Sequence, residues 1–277
     1  MAAPRNRPVA DIGGRRFDSQ AEVFDDRTGL PPDKAEEIAD AVVGFASEQA
    51  ISAVLELGAG TGELGRCLGR LGHRYVGLDL SRPMLEVFAS KRNDGRAGDD
   101  GAGLLVHADA DADWPVRDGA VSVIFASRAA HLLAPGHAVD EVLRVCARPG
   151  GFVVGRVERT GIKRSLRRQR EAMLIARGVA AGRSGLRRTE ALLESFADRG
   201  AVALPRRTVA SWTSAVSAEE VISAWEPMST MAGQPVAPDT KAEVLNELRR
   251  WALEEFGDLD RPHPYDEHYT LEGVRLG

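Results

Sequence analysis

The stretch from Val54 to Leu80 constrains the fold of this chain more than any other. An apolar run at 54–57 leads into the turn Gly58-Ala59-Gly60-Thr61-Gly62, and apolar residues at helical spacing follow. A second apolar run, 75–78, ends at Asp79. A strand, a helix and a second strand of these lengths require a crossover connection, which sets the two strands parallel in one sheet. We therefore expect an α/β fold built on a parallel sheet.

The glycine turn and the aspartate after it have the spacing of a nucleoside site. Glycines let the backbone approach a ligand at the start of a helix, and a carboxylate about 20 residues further on meets a ribose. Asp79 lies 21 residues after Gly58. A dinucleotide site needs a third glycine at the sixth position, where this chain has Glu63, whose charge disfavours a pyrophosphate. A tight turn that binds no ligand is the alternative.

Composition and charge exclude several classes of protein. The net charge of −5 and the isoelectric point near 5.8 argue against a general nucleic-acid binder. The two cysteines, Cys67 and Cys146, occupy apolar helical positions, so we predict neither a disulfide framework nor a zinc site, which fits a reducing cytoplasm. The polar start of the chain does not resemble a signal peptide, and no run of about 18 apolar residues occurs. We predict a cytoplasmic protein without a membrane partner, either monomer or homodimer.

The aspartates after the third predicted strand, 104–106, have two interpretations. The alternating aspartates at 109–113 resemble the start of a calcium-binding loop. Such a loop needs glycine where this chain has Trp114 and glutamate where it has Ala120, so we predict no metal site. Asp109 ends the strand at the carboxyl edge of the sheet, where it can accept a hydrogen bond from the exocyclic amine of an adenine. Capping of the following turn is the alternative.

Four segments, in order and at suitable spacing, resemble motifs of the class I S-adenosylmethionine-dependent methyltransferases. The resemblance is to the small-molecule branch, similar to methyltransferase types 11 and 25, and it covers roughly residues 50–157. The segments are Leu55 to Gly62, Gly77 to Leu85, Ala108 to Ala110 and Leu143 to Gly151. The resemblance implies a Rossmann-like seven-stranded sheet, mostly parallel with an antiparallel last strand, and helical cap insertions. One departure is that the family often has Phe-Asp before strand four, where this chain has Ala120-Val121-Ser122.

The same resemblance implies S-adenosyl-L-methionine as cofactor, S-adenosyl-L-homocysteine as product and a small-molecule substrate. It implies that Glu56 and the glycine turn approach the methionyl part, that Asp79 binds the ribose hydroxyls, and that Asp109 meets the adenine amine. Leu80 and Met84 would flank the adenine, and the backbone of Ser127 would line the site. The implied cofactor-binding residues are Glu56, Gly58, Ala59, Gly60, Asp79, Leu80, Met84, Asp109, Ala110 and Ser127.

Three further residues are candidates with structural alternatives. His131 follows strand four, where related enzymes sometimes place a residue that faces the substrate, and it is our candidate general base. A lone histidine with a purely structural role is the alternative. Phe24 and Arg27 lie in a segment that resembles the N-terminal flap closing over the cofactor in this branch. An amphipathic helix packed on the core would have the same pattern.

We predict a disordered N-terminus at 1–14 and a single methyltransferase domain at 15–277. The core would comprise about 35–157 together with strands six and seven, and the cap would come from 15–34, 158–200 and 213–262. Strand five is expected at 152–154 after a turn at 148–151, strand six at 206–212 and the last strand at 265–274, with helices at 218–225 and 240–256.

The segment from 156 to 188 is rich in arginine. It is interpreted either as a solvated helix face or as a cap that attracts a carboxylated or phosphorylated substrate. Trp225, Met228 and Met231 are candidate walls of a pocket, or core residues. The sequence leaves both pairs of alternatives open.

The function these patterns favour is methyl transfer, by in-line displacement, to an O, N, C or S nucleophile of a small molecule, with acids among the candidate acceptors. Because the sulfonium is already activated, alignment of the two reactants and exclusion of water provide much of the catalysis, and no catalytic triad is required. Two alternatives stay open. One is a protein that binds S-adenosylmethionine without catalysis, as a scaffold, and the other is a nicotinamide-dependent oxidoreductase.

Overall fold

The computed structural model of the 277-residue chain describes residues 18, 21–25, 30–46, 52–93, 103–179, 185–228, 230–232 and 234–277. The predicted disordered segment 1–14 lies outside these residues. In the described part of the chain the strands are β1 (Ala53–Leu57), β2 (Arg74–Asp79), β3 (Gly103–His107), β4 (Val121–Ser127), β5 (Cys146–Arg159), β6 (Val202–Val216), β7 (Thr230–Met231), β8 (Gln234–Pro235) and β9 (His263–Leu276).

In the described part of the chain, helices lie between most consecutive strands. They are α1 (Pro32–Ala46), α2 (Gly65–Arg70), α3 (Arg82–Asn93), α4 (Pro135–Val145), α5 (Gly161–Ala176), α6 (Gly185–Glu194), α7 (Ala218–Ser223) and α8 (Pro238–Phe256). Short 3-10 helices occur at Ala21–Val23, Ala130–Leu132 and Ala197–Arg199. No helix within the described ranges combines the length and the apolar character needed to cross a membrane.

Seven strands form one sheet in the order β3-β2-β1-β4-β5-β9-β6, and β7 pairs with β8 in a separate ribbon. Parallel pairing joins β1 to β2, β1 to β4, β2 to β3 and β4 to β5. The sheet is mostly parallel and its last strand is antiparallel, which confirms the predicted fold class. The strand order reverses between β1 and β4. In open α/β sheets, ligands bind outside the carboxyl ends of the strands at such a point.

The two central strands are buried along almost their whole length. Every residue of β1 is buried, as are residues 121–126 of β4. Strands covered by helices on both faces have continuous apolar runs of this kind. The Phe152 and Phe196 rings pack in the same core with their centroids 5.6 Å apart. The carboxyl ends of β1 and β4 are therefore fixed by a rigid core.

The predicted turn at 148–151 is wrong, because β5 begins already at Cys146 and runs through the Arg-Pro-Gly-Gly sequence. Cys146 pairs with Val121, the register then shifts, and Gly151 pairs with Val123. Gly150 fits this irregularity, since a Cβ there would lie 2.6 Å from the carbonyl oxygen of Ser122. A bulge absorbs the residues that in isolation are typical of a turn.

The described residues divide into two compact units. Unit one comprises the described residues within 1–156, 188–209 and 270–277, and unit two comprises those within 157–187 and 210–269. The boundaries fall inside α6 and inside the strands β5, β6 and β9, and these three strands are longer than the sequence pattern predicted. The division into two units describes how compactly the residues are packed and does not define domains. The single domain with a helical cap therefore stays a prediction.

Candidate functional site

The glycine turn after β1 adopts left-handed backbone conformations. Gly58, Gly60 and Gly62 have φ values of 71°, 55° and 80°. A Cβ on Gly58 would lie 2.6 Å from Cβ of Ala129, and one on Gly62 would lie 2.2 Å from the Phe88 ring. A Cβ on Gly60 would have its nearest neighbour 4.0 Å away, at the carbonyl oxygen of Gly58. Two glycines are therefore required by packing, whereas the third leaves open space beside the turn.

Asp79, at the end of β2, connects that turn to the next loop. Its Oδ2 accepts a hydrogen bond of 2.7 Å from the Gly60 N–H, and its Oδ1 accepts one of 2.7 Å from the Ser81 N–H. Partial burial raises the pKa of the Asp79 carboxyl, while the two N–H groups act in the opposite direction. Each carboxylate oxygen has further acceptor capacity. The side chain can therefore orient the turn and also accept hydrogen bonds from a diol.

Glu56 lies within β1 and is 2% exposed. Its Oε2 accepts a hydrogen bond of 2.5 Å from the Tyr75 hydroxyl. Burial raises the pKa of this carboxyl to about 8, against the smaller opposing effect of the Tyr75 hydrogen bond. The side chain is thus held inside the sheet by a tyrosine, and its predicted approach to a methionyl group stays a prediction.

Glu56→Gln is expected to flatten the pH dependence of stability. Between about pH 4.5 and about pH 8 the folded chain keeps a proton on Glu56 that the unfolded chain has lost. The stabilisation of the folded state by this proton is complete below about pH 4.5 and is lost as the pH rises through about 8. The amide of the variant is neutral at every pH. The free energy of unfolding of the variant should therefore fall less over this interval than that of the wild type, by on the order of 3 kcal/mol.

Urea unfolding at several pH values measures this difference. Glu86→Gln is the matched control, because Glu86 is exposed and pairs with Arg82 across one helical turn. The account of Glu56 fails if the two variants show the same pH slope.

The remaining predicted residues lie at or just after the carboxyl ends of the parallel strands. Leu80 follows β2, and its carbonyl oxygen is 3.0 Å from Nε2 of His107. Met84 is buried in the first turn of α3. The Asp109 Oδ1 accepts a 2.9 Å hydrogen bond from the Asp111 N–H, as the capping alternative predicted. Ala110 and Ser127 lie after β3 and at the end of β4. The topology thus brings these residues to one edge of the sheet, and their roles toward a cofactor stay predictions.

The three further candidates have separate outcomes. His131 lies half-buried in the 3-10 helix that follows β4. The guanidinium carbon of Arg128 lies 5.6 Å from the centroid of the Phe24 ring, so Phe24 contacts the same β4 end as the site. Arg27 lies outside the described residues.

Sequence reasoning missed the acidic residues that attach the N-terminal segment to the turn. The Asp25 carboxylate accepts hydrogen bonds from the Thr61 hydroxyl and the Lys91 ammonium group. The Asp18 Oδ1 accepts one of 2.6 Å from the Ser81 hydroxyl. These contacts join residues that are distant in sequence, so no spacing could have indicated them.

The charge of Glu63 is also a weaker argument against a bound pyrophosphate than the sequence indicated. Glu63 forms an ion pair with Arg128, whose backbone has the left-handed φ of 55° directly after β4. A paired carboxylate repels an anion less than a free one does. The charge of Glu63 alone therefore does not exclude a phosphate, and the choice of nucleoside needs a direct test.

Comparison with known proteins agrees with this geometry. Residues 55–155 match the family model described as methyltransferase domain. Demethylmenaquinone methyltransferase from Clavibacter sepedonicus is 39% identical over 104 residues, which cover 36% of this chain and 39% of that protein. The chain thus spans well under half the length of this relative.

Solved structures share the fold at low sequence identity. The YcgJ protein of Bacillus subtilis superposes with a TM-score of 0.52 at 19% identity, covering 86% of this chain and 98% of that one. The [4+2]-cyclase SpnF superposes with a TM-score of 0.56 at 18% identity, covering 95% of this chain and 94% of that one. At these identities the likeness is one of fold.

Proposed function

We propose that this chain, whose residues 55–155 form a class I S-adenosylmethionine-dependent methyltransferase domain, transfers a methyl group from S-adenosylmethionine to an O, N, C or S nucleophile of a small molecule. The observation that supports this most is the Asp79 carboxylate, which bonds to the Gly60 N–H at the strand-order reversal. A carboxylate at this place, beside an open glycine turn, is suited to a ribose.

The residues present fit this cofactor. The open space at Gly60 allows a ligand to approach the backbone. Asp79 would hold the ribose hydroxyls, Leu80 and Met84 would flank the adenine, and Asp109 or the nearby backbone would meet its amine. When bound, the cofactor supplies a methyl group that is already activated on sulfur. The protein therefore has to bind and orient, and it has no need to activate the donor.

The chain's own residues would contribute position and the transfer of one proton. Alignment of two bound reactants can replace a large part of the activation free energy. We propose His131 as the group that accepts the proton of the acceptor, because it follows β4 at the edge where the site residues meet. A base at this position is required only for acceptors that react after deprotonation.

Binding of S-adenosylmethionine without methyl transfer is the second candidate. It stays open because a protein described as a [4+2]-cyclase has the same fold, so this fold is compatible with an activity other than methyl transfer. The fold alone therefore does not determine the reaction, and turnover has to be measured.

The test is formation of S-adenosylhomocysteine in the presence of a panel of acceptors. The panel should contain aromatic and aliphatic carboxylic acids, phenols, amines, thiols and a hydroquinone, the last because of the name of the 39% identical relative. We expect turnover with at least one class, and His131→Gln should reduce kcat by about 100-fold or more for an acceptor that needs a base. His137→Gln is the control, since His137 contacts the Ala112 carbonyl group elsewhere. Tight cofactor binding without turnover on any class would favour the second candidate.

A further inference from the structure

Arg170 occupies a position in unit two that ordinarily belongs to an apolar residue. It lies on α5, whose buried face otherwise consists of Ile162, Leu166, Met173 and Leu174. Arg170 itself is only 7% exposed. An arginine is rarely buried to this extent unless an anion compensates its charge, because the charged group loses its water.

Within the described residues, that compensation is missing. Nε of Arg170 is buried and has no hydrogen-bond partner, and the charged groups that act on this guanidinium are Glu171 and Arg167, which pair with each other. Two other arginines of unit two are paired: Arg177 bonds to Glu247 at 2.5 Å and Arg249 to Glu219 at 2.6 Å. Arg170 is more deeply buried than either, and a buried charge is ordinarily paired.

One face of the Arg170 guanidinium is covered by an aromatic ring. Its central carbon lies 4.1 Å from the centroid of the half-buried Trp225 ring. Stacking on an aromatic face fixes the plane of a guanidinium and leaves the N–H groups along its edge available. Burial lowers the pKa of Arg170 only to about 10, so the group stays charged at neutral pH. The side chain is thus a charged donor group held close to an aromatic ring.

A second desolvated cation lies on the same face of α5. Lys163 precedes Arg170 by two helical turns, and burial lowers the pKa of its ammonium group. Unlike Arg170, it has a partner: Nζ donates a 2.5 Å hydrogen bond to the Tyr265 hydroxyl, which donates one of 2.9 Å to Glu267. The interior side of α5 therefore carries positive charge in two places, and at Arg170 the Nε has no hydrogen-bond partner among the residues that the structure describes.

We propose that Arg170, whose guanidinium carbon lies 4.1 Å from the centroid of the Trp225 ring, binds the oxyanion of a small molecule, a carboxylate or a phosphate ester, within unit two. Two oxygens of either group match the parallel N–H donors of a guanidinium. The apolar residues around it would cover the organic part of the ligand. This anion site does not depend on the proposed function.

The test is calorimetric titration of the full chain with three probes of similar size: benzoate, phenyl phosphate and neutral benzamide. We expect benzoate or phenyl phosphate to bind and benzamide not to, and the stronger of the two anions identifies the ligand class. Arg170→Met should weaken anion binding at least about 10-fold, with Arg170→Lys in between. Arg167→Met is the matched control, because Arg167 is exposed on the same helix and pairs with Glu171; its affinity should equal that of the wild type.

Thermal unfolding without ligand separates a binding role from a structural one. Because Arg170→Met removes an unpaired buried charge and keeps the side-chain volume, its Tm should equal or exceed that of the wild type. A lower Tm combined with unchanged anion affinity would overturn the proposal, as would the absence of saturable binding of either anion to the wild type.

The same titrations with S-adenosylmethionine keep this proposal apart from the proposed function. Arg170→Met should bind the cofactor as the wild type does. If the wild type binds the anions but not S-adenosylmethionine, the proposed function fails and the anion site stands. If it binds S-adenosylmethionine but neither anion, only the anion site fails.

Discussion

Asp79→Ala is expected to reduce the affinity for S-adenosylmethionine by about 100-fold or more. The variant removes the carboxylate that would accept hydrogen bonds from both ribose hydroxyls, and hydrogen bonds to a charged group are each worth roughly 1.5–3 kcal/mol. It also removes the acceptor of the Gly60 and Ser81 N–H groups, so the turn is less well fixed before the ligand arrives. Calorimetric titration measures both the affinity and the stoichiometry.

Two further variants make this result interpretable. Asp79→Asn keeps one acceptor oxygen without the charge and should bind with intermediate affinity. Asp113→Ala removes an exposed aspartate and should bind like the wild type. Circular dichroism must show that Asp79→Ala is folded at the temperature of the titration. Wild-type affinity in a folded Asp79→Ala protein would show that the carboxylate is not part of the site.

Gly62→Ala is expected to destabilise the fold by about 2–5 kcal/mol, which lowers Tm by roughly 5–15 °C. The new methyl group would lie 2.2 Å from Cδ2 of Phe88, a ring that is 1% exposed. The backbone φ of 80° is also unfavourable for alanine. Both effects act on the same turn, and thermal unfolding by circular dichroism measures their sum.

Gly72→Ala separates the two effects. Gly72 has a similar φ of 76°, but a Cβ there would meet nothing within 4 Å. This variant should lose only the backbone part, about 1–2 kcal/mol. If the two variants lose the same stability, Phe88 does not constrain Gly62, and the packing explanation for that glycine is incorrect.

The central part of the fold could be predicted because its determinants are local. The apolar runs of β1 and β2, the glycines between them and the aspartate at the end are contiguous in sequence, and the crossover rule then fixes the parallel pairing. The helix from Pro238 to Phe256 and the strand from Cys146 to Arg159 show the contrast. The first follows from its own apolar periodicity, whereas the second pairs with β4 on both sides of its turn-like sequence, which is accommodated as an irregularity within the strand.

The attachment of the N-terminal segment could not be predicted, because it depends on single polar contacts between distant parts of the chain. Asp25 and Asp18 have no pattern that distinguishes them from other surface acids, and only the folded chain brings them to Lys91 and Ser81. Arg170 is an intermediate case. Its spacing from Leu166 and Met173 places it in an apolar stripe, so its burial could be predicted from the helical period. That its Nε has no hydrogen-bond partner among the described residues could not be predicted from the sequence.

The identity of the nucleoside is the central claim, and one titration tests it directly. The wild-type chain should be titrated calorimetrically with S-adenosylmethionine, S-adenosylhomocysteine and NAD under identical conditions. We predict that the first two bind at a single site and that NAD does not bind. Binding of NAD together with no binding of the two sulfur nucleosides would contradict the account and would favour a nicotinamide-dependent oxidoreductase.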